Sequence, residues 1–276
     1  MAEIQFHFTL GDFKCMAIRD GDDMGSADFL FVNASIEALT KTLQEHELEK
    51  DQLRTTWTCL LIDTGENKLL IDTGIGSGSP NGGHLVSQLG QESIRPEDID
   101  VVFLTHGHAD HLGGCTDEDG KPVFTRARHV IGKREFNFWT GAEHHDGLTI
   151  RMARFAQPKL AAIGDHLELV GSDTELLPGI KTLDAYGHTP GHLGLEIRSQ
   201  DKILLNLADS VLHPVHLEHP EWYSRVDVLP EEMIATRIRT LELAEREKAL
   251  VLFFHFDFPS LGYVEQEGGH WTWRSI

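Results

Sequence analysis

Short, nearly all-apolar runs recur along the chain, and each stops abruptly at a polar or glycine-bounded segment: residues 101–104, 203–208 and 249–254 are the clearest, and 180–186 is a more polar strand-like stretch. Runs of this length flanked by turn signals read as buried strands. Residues 58–63 and 68–72 both lead into the pentapeptide Leu-Ile-Asp-Thr-Gly, at 61–65 and again at 70–74, which predicts a hairpin turning through Gly65-Glu66-Asn67. Between the runs the period changes. Ile36, Leu39 and Leu43 recur at helical spacing within 35–53, and residues 148–163 carry a helical pattern in which Pro158 is expected to kink or end the helix. Pro230-Glu231-Glu232 has the proline and acidic first turn of a helix start, with Ile234, Ile238 and Leu241 on one face. Interleaved strands and helices predict a mixed α/β fold.

The apolar runs end in reactive side chains. Residues 101–104 run into Thr105-His106-Gly107-His108-Ala109-Asp110-His111, which places three imidazoles and a carboxylate in six consecutive positions. Imidazole nitrogen and carboxylate oxygen suit borderline divalent cations, and a loop fixed at a strand end can aim several such groups at one point. Three further runs end in the same way: 180–186 leads to Gly187-His188-Thr189-Pro190-Gly191-His192, 203–208 to Asp209, and 249–254 to His255. Singly, His188 reads equally well as part of a Thr-Pro turn, Asp209 as a cap and His255 as a core histidine. Their order and their common placement at strand ends favour a shared site.

The order HxHxDH, His, Asp, His resembles the metallo-β-lactamase superfamily. That resemblance implies an αββα four-layer sandwich spanning 1–276 as one domain, with 21–55 as a lid or a surface helical segment. It implies two divalent metal ions, zinc first and manganese, iron or cobalt as alternatives. One metal would be held by His106, His108 and His188, the other by Asp110, His111 and His255, with Asp209 bridging. Asp72 would stand behind these ligands as an acceptor for an imidazole N–H. The implied chemistry is hydrolysis by a hydroxide shared between the metals, with Asp110 moving the proton and His213 a polar group near the leaving group.

Departures narrow the branch. Class B β-lactamases usually lack an Asp at the Asp209 position, flavodiiron proteins carry Glu where this chain has His108, and glyoxalase II adds a basic helical C-terminus where this chain ends in Gly268-Gly269-His270-Trp271-Thr272-Trp273. The segments Leu10-Gly11-Asp12-Phe13, Glu135-Phe136-Asn137-Phe138-Trp139, Ala208-Asp209-Ser210 and His255-Phe256-Asp257-Phe258-Pro259 are most similar to the lactonase and methyl-parathion-hydrolase-like branch. N-acyl-homoserine lactonases often place a tyrosine shortly after the bridging Asp, where Val211 and Leu212 stand here. The expected substrate is a small lactone or related ester. Aryl esters, phosphotriesters and thioesters are alternatives within the fold, a metal-pocket sensor is the non-enzymatic alternative, and a one-iron sulfur dioxygenase is a third. Phe136, Phe138, Trp139, Trp222, Phe256 and Phe258 are expected to line an apolar substrate pocket.

Composition trims this picture. The chain has 276 residues with 24 Lys and Arg against 44 Asp and Glu, a net charge of −20, which disfavours nucleic acid and anionic membranes as partners. Twelve of the 17 histidines lie outside the expected ligand set, so histidine richness by itself locates nothing. Cys15, Cys59 and Cys115 form no disulfide pattern. The start Met1-Ala2-Glu3-Ile4-Gln5-Phe6 shows no export signal and no run approaches a membrane span, so a cytoplasmic protein is expected, and the resemblance adds a homodimer.

Overall fold

The computed structural model describes residues 4–141 and 147–276; Met1–Glu3, the first half of the segment in which no export signal is expected, lie outside it. Among the described residues, seven strands form one sheet in chain order: β1 (Gln5–Leu10), β2 (Phe13–Gly25), β3 (Leu53–Asp63), β4 (Lys68–Ile71), β5 (Val101–Leu104), β6 (Arg128–Gly132) and β7 (Leu167–Val170). The second sheet runs β8 (Glu175–Leu177), β9 (Ile180–Asp184), β10 (Leu193–Ser199), β11 (Lys202–Ala208), β12 (Leu250–Phe253), β13 (Leu261–Glu267) and β14 (His270–Ser275), again with sequence neighbours paired. The helices are α1 (Ala27–Leu30), α2 (Ile36–Glu45), α3 (Leu85–Gln91), α4 (Ala109–Leu112), α5 (Lys133–Thr140), α6 (Gly147–Ile163), α7 (Val215–Glu218) and α8 (Pro230–Glu247).

Successive residues of a strand face opposite sides, and here both sides are covered, which is why the runs are wholly apolar rather than alternating. Val101 and Phe103 point between the sheets with Leu60, Ile62, Leu69 and Ile71, meeting Leu195, Ile197, Leu204 and Leu252 of the second sheet. Val102 and Leu104 point the other way, against Leu85 and Leu89 of α3, Leu112 of α4 and Leu160 of α6. On the far side Leu205, Leu207, Val251 and Phe253 pack on Leu241 and Ala244 of α8. This is the four-layer αββα sandwich. Each fully buried aliphatic side chain contributes about 1.5–3 kcal/mol, and a one-residue slip would send every one of them to the wrong layer.

The hairpin is present: β3 and β4 pair Asp63 with Lys68 and Leu60 with Ile71, and Gly65 takes φ +91° in the turn. Pro230 opens α8 at its first turn. Two helix expectations need correction. The helix expected over 35–53 ends at Glu45, where Glu47 at φ +53° leaves the helical region, and Leu53 already begins β3, although Leu48 still packs on the same surface as Leu39 and Leu43. Conversely α6 runs through Pro158 to Ile163, its Ala153, Ala156, Leu160 and Ile163 buried on the helical layer, so packing outweighs the lost backbone hydrogen bond. No helix among the described residues is long and apolar enough to cross a membrane.

Candidate metal centre

Five strand ends converge at one edge of the sandwich. Asp72 follows β4, the 105–111 loop follows β5, His188 lies between β9 and β10, Asp209 follows β11, and His255 follows β12. The seven side chains singled out in the sequence come together as two groups, His106, His108, His188 and Asp209 in one and Asp110, His111 and His255 in the other, the donor atoms of each group within 4.8 Å of one another. Asp209 also reaches the second group. Its Oδ2 lies 3.2 Å from His188 Nε2, 3.1 Å from His255 Nε2 and 3.8 Å from His106 Nε2, while Oδ1 lies 3.2 Å from His111 Nε2.

Four of the rings are aimed by a bond on the other nitrogen, His106 through its Nδ1, 3.1 Å from Thr105 Oγ1. His111 Nδ1 is 2.8 Å from Asp72 Oδ2, and Asp72, with φ +60° at the strand end, also accepts from the Thr105 N–H at 2.8 Å. His188 Nδ1 is 2.8 Å from Asp227 Oδ1, and His255 Nδ1 is 3.1 Å from the Thr56 carbonyl. A third buried carboxylate, Glu135 at the start of α5, ties two of the loops together. Its Oε1 accepts from the Gly107 N–H at 2.9 Å and its Oε2 from Thr189 Oγ1 at 2.7 Å and the Gly191 N–H at 3.0 Å. Trp139 Nε1 adds a bond at 2.5 Å. Glycine is required at both contacts, since a Cβ on Gly107 would strike the Trp139 indole and one on Gly191 the Glu135 backbone.

The electrostatics suit cations. Burial, reinforced by neighbouring imidazoles, pushes His106 and His108 well below the ordinary histidine range and keeps their nitrogens free to ligate. Burial opposes charge on His111 too, but Asp209, Asp72 and Asp110 outweigh it and raise its pKa; Asp209 and Asp227 do the same for His188, to about 9. Asp209 is held ionised against its burial by His255, His111 and His188. His106 Nε2, His108 Nε2, His111 Nε2 and Asp209 Oδ1 are buried without a hydrogen-bond partner, a costly arrangement that two divalent cations would resolve. The donor set, nitrogens and carboxylate oxygens, fits that group. Cys115 stands near this loop but is fully buried, with its thiol pushed up to about 12 by burial, and it belongs to neither group.

Beside the groups opens a cavity of about 740 Å³, lined by His108, Asp110, His188, Asp209 and His255. Its apolar wall is Met24, Phe29, Leu30, Trp57, Ile75, Leu148, Met152, Phe155, Leu212 and Val226, with Asp23, Asp51 and Arg151 as charged members. The expected pocket aromatics are therefore corrected. Phe136 and Phe138 pack against the helix-side core, Trp139 is fully buried under His108 at 5.6 Å, Trp222 stacks on His219 at 3.9 Å, Phe256 joins the α8-side core and Phe258 the inter-sheet core. His213 is corrected as well. It turns away from the cavity, edge-on to Phe31 at 5.8 Å, its Nδ1 accepting from the Val215 N–H. The 21–55 segment contributes cavity wall through residues 23–26, Phe29, Leu30, Asp51 and Thr55, while Leu39 and Leu43 of α2 pack on Leu212, Val215 and Trp222. The wall residues Leu148, Met152 and Phe155 share one helical face, a signal the sequence did carry, whereas nothing near Asp227 marked it.

Comparison with known proteins agrees with this geometry. Residues 58–254, more than half of the chain, match the family model described as the metallo-beta-lactamase superfamily. An N-acyl homoserine lactonase of Bacillus thuringiensis is 23% identical over 219 residues, covering 71% of this chain and 80% of the relative. Among solved structures, AidC, a dizinc quorum-quenching lactonase in complex with a product, superposes with a TM-score of 0.93 at 25% identity, covering 99% of this chain and 97% of that one. AbOPH, a hydrolase in the beta lactamase superfamily, gives 0.89 at 24% identity over 100% and 98%.

Proposed function

The chain belongs to the metallo-β-lactamase superfamily, and from that premise we propose that it is a dinuclear metal-dependent hydrolase that opens lactones carrying an apolar arm. The observation that carries this reading is the sharing of Asp209 between two histidine groups on the floor of an apolar cavity. His106, His108 and His188 would hold one cation and Asp110, His111 and His255 the other, with Asp209 between them. When bound, such a pair supplies an activated water and polarises the acyl oxygen. We assign zinc, in keeping with the nitrogen and oxygen donors and with the dizinc centre of AidC.

The chain's own residues do the rest. Asp110 lines the cavity, and its Oδ2 is turned toward His255 at 3.5 Å and His111 at 3.8 Å, which leaves Oδ1 to take the proton from the attacking water. The water oxygen joins the acyl carbon, the ring C–O bond breaks, and the departing alkoxide recovers the proton from Asp110. Met24, Phe29, Leu148, Met152 and Phe155 would take the arm out of water and orient the ring above the floor. Three buried unpaired cysteines suit a reducing cytoplasm.

The test is metal analysis together with hydrolysis rates across lactones, aryl esters, thioesters and phosphotriesters. Two zinc ions per chain and a clear preference for apolar-armed lactones are expected. A protein loaded with two zinc ions that turns over none of the panel would overturn the reading.

A further inference from the structure

Asp227 lies in an irregular turn between α7 and α8, far in sequence from every strand-end motif, yet its side chain is fully buried behind His188. Its two oxygens are divided. Oδ1 meets His188 Nδ1 at 2.8 Å, and Oδ2 accepts the Ser224 N–H at 2.7 Å while the Asp227 N–H donates back to the Ser224 carbonyl at 3.1 Å. The turn is stapled to the histidine's own loop, with the Val228 N–H on the His188 carbonyl and the Leu229 N–H on the Gly187 carbonyl, both at 2.9 Å. Behind it stands the guanidinium of Arg237, fully buried on α8, with Nη2 4.0 Å from Asp227 Oδ2. That guanidinium also donates from Nε to the Ser210 carbonyl, next to Asp209, at 2.9 Å, and from Nη1 to the Pro220 and Trp222 carbonyls.

We propose that Asp227, backed by Arg237, is the positioning residue of one cation position only, the one built on His106, His108 and His188, while Asp72 serves the other through His111. The inference rests on the proposed dinuclear centre. A carboxylate on the far nitrogen fixes which imidazole nitrogen carries the proton, turns the other toward the cation and raises its basicity. Asp72 and Asp227 touch different histidines and have no direct partner in common among the described contacts, but Thr105 Oγ1, 2.9 Å from Asp72 Oδ2, also stands 3.1 Å from His106 Nδ1, so Asp72 reaches both groups and Asp227 only one. The contribution of Asp227 is therefore confined to the His188 side, while that of Asp72 falls mainly on His111 and extends through Thr105 to His106. Each position of the pair has its own carboxylate support, one delivered by a strand end and one by a turn held on a helix.

The experiment titrates zinc into chelator-stripped protein in competition with a chromophoric chelator, and records the thermal midpoint of the metal-free form. For Asp227→Asn, one of the two binding steps is expected to weaken 10- to 100-fold, the range found for such outer partners, with the other step unchanged. Asp72→Asn is expected to weaken the opposite step most, with a smaller effect through Thr105 on the first, and the double variant to weaken both. Asp227→Glu, which keeps the charge and alters the reach, should fall between Asp227→Asn and the wild type at the same step, and it carries the test if Asp227→Asn does not fold. If Asp227→Asn leaves both steps intact, or weakens both equally while lowering the metal-free midpoint, Asp227 is a strut of the fold and the proposal fails. A wild-type protein that takes up no zinc overturns the dinuclear reading itself, so the two failures are distinct.

Discussion

The floor and the wall of the cavity are built on different principles. On the floor, four imidazoles are held from behind by a bond to a fixed oxygen: His111 to Asp72, His188 to Asp227, His255 to the Thr56 carbonyl and His106 to the Thr105 hydroxyl. The wall is mainly apolar, drawn from the end of β2, from α1 and from one face of α6. A polar floor in a buried place fails if any single partner is missing, because an unpaired buried charge is costly. An apolar wall degrades gradually, methylene by methylene. Floor substitutions should therefore act on metal content and kcat, and wall substitutions on KM.

The largest effect is expected at Asp209, the carboxylate that faces both groups. Asp209→Asn removes the charge that faces His106, His111, His188 and His255, so kcat/KM for an apolar-armed lactone should fall at least about a thousandfold, roughly 4 kcal/mol, with reduced zinc by elemental analysis. Retention of both metals and full turnover would erase the distinction between floor and wall. Next comes Glu135→Gln. A carboxylate satisfies four donors here, whereas an amide presents its NH2 to two of them. The expected loss is about 3 kcal/mol of stability, seen as a fall of several degrees in the metal-free thermal midpoint. An unchanged midpoint would mean that the two histidine loops do not depend on this clamp.

The same contrast explains what the sequence disclosed. Floor residues were legible because a strand end fixes where the next side chain goes, so His106, His108, Asp110 and His111 stood out by spacing alone, whereas Asp72 was suggested only by the family resemblance, its Leu-Ile-Asp-Thr-Gly being shared with Asp63. The layers were legible too, since runs such as Val101–Leu104 must be covered on both faces. The wall was not. Large aromatics drew attention to Phe136, Trp139 and Phe256, yet aromatics are the residues a core most readily absorbs, and these went into packing surfaces instead. What lines the cavity is decided by which segments cross its mouth, a long-range property with no local spacing. Asp227 and Glu135 escaped for a related reason: their function is to touch loops 39 and 28 positions away.

The wall can be tested directly. Met152 and Phe155 lie on α6, both half-buried, and reach the cavity, so Met152→Ala and Phe155→Ala remove contact with a bound arm, the former also giving up packing on the helix-side core. KM for a long-armed lactone should rise about tenfold, near 1.4 kcal/mol, with kcat within twofold, while a short-armed lactone is affected less. A drop in kcat with unchanged KM would place these residues on the floor side of the division.

The smallest effect concerns His213, the residue whose sequence suggested chemistry and whose surroundings are packing. Burial, with His46 as a lesser repulsive neighbour, lowers its pKa to about 4, against an ordinary value near 6.5 in the unfolded chain. Between those values the unfolded state binds the proton that the folded state refuses, so stability is fully present above about pH 6.5 and is lost progressively as the pH falls toward 4. Between pH 7 and 5.5 the loss is about 1 kcal/mol. His213→Asn cannot take up that proton, so its denaturation midpoint should vary less with pH across this window than the wild type's, while kcat at pH 7.5 stays within twofold. If instead the variant loses kcat a hundredfold with an unaltered acid profile, His213 acts on substrate, and the line between floor and wall must be redrawn to include it.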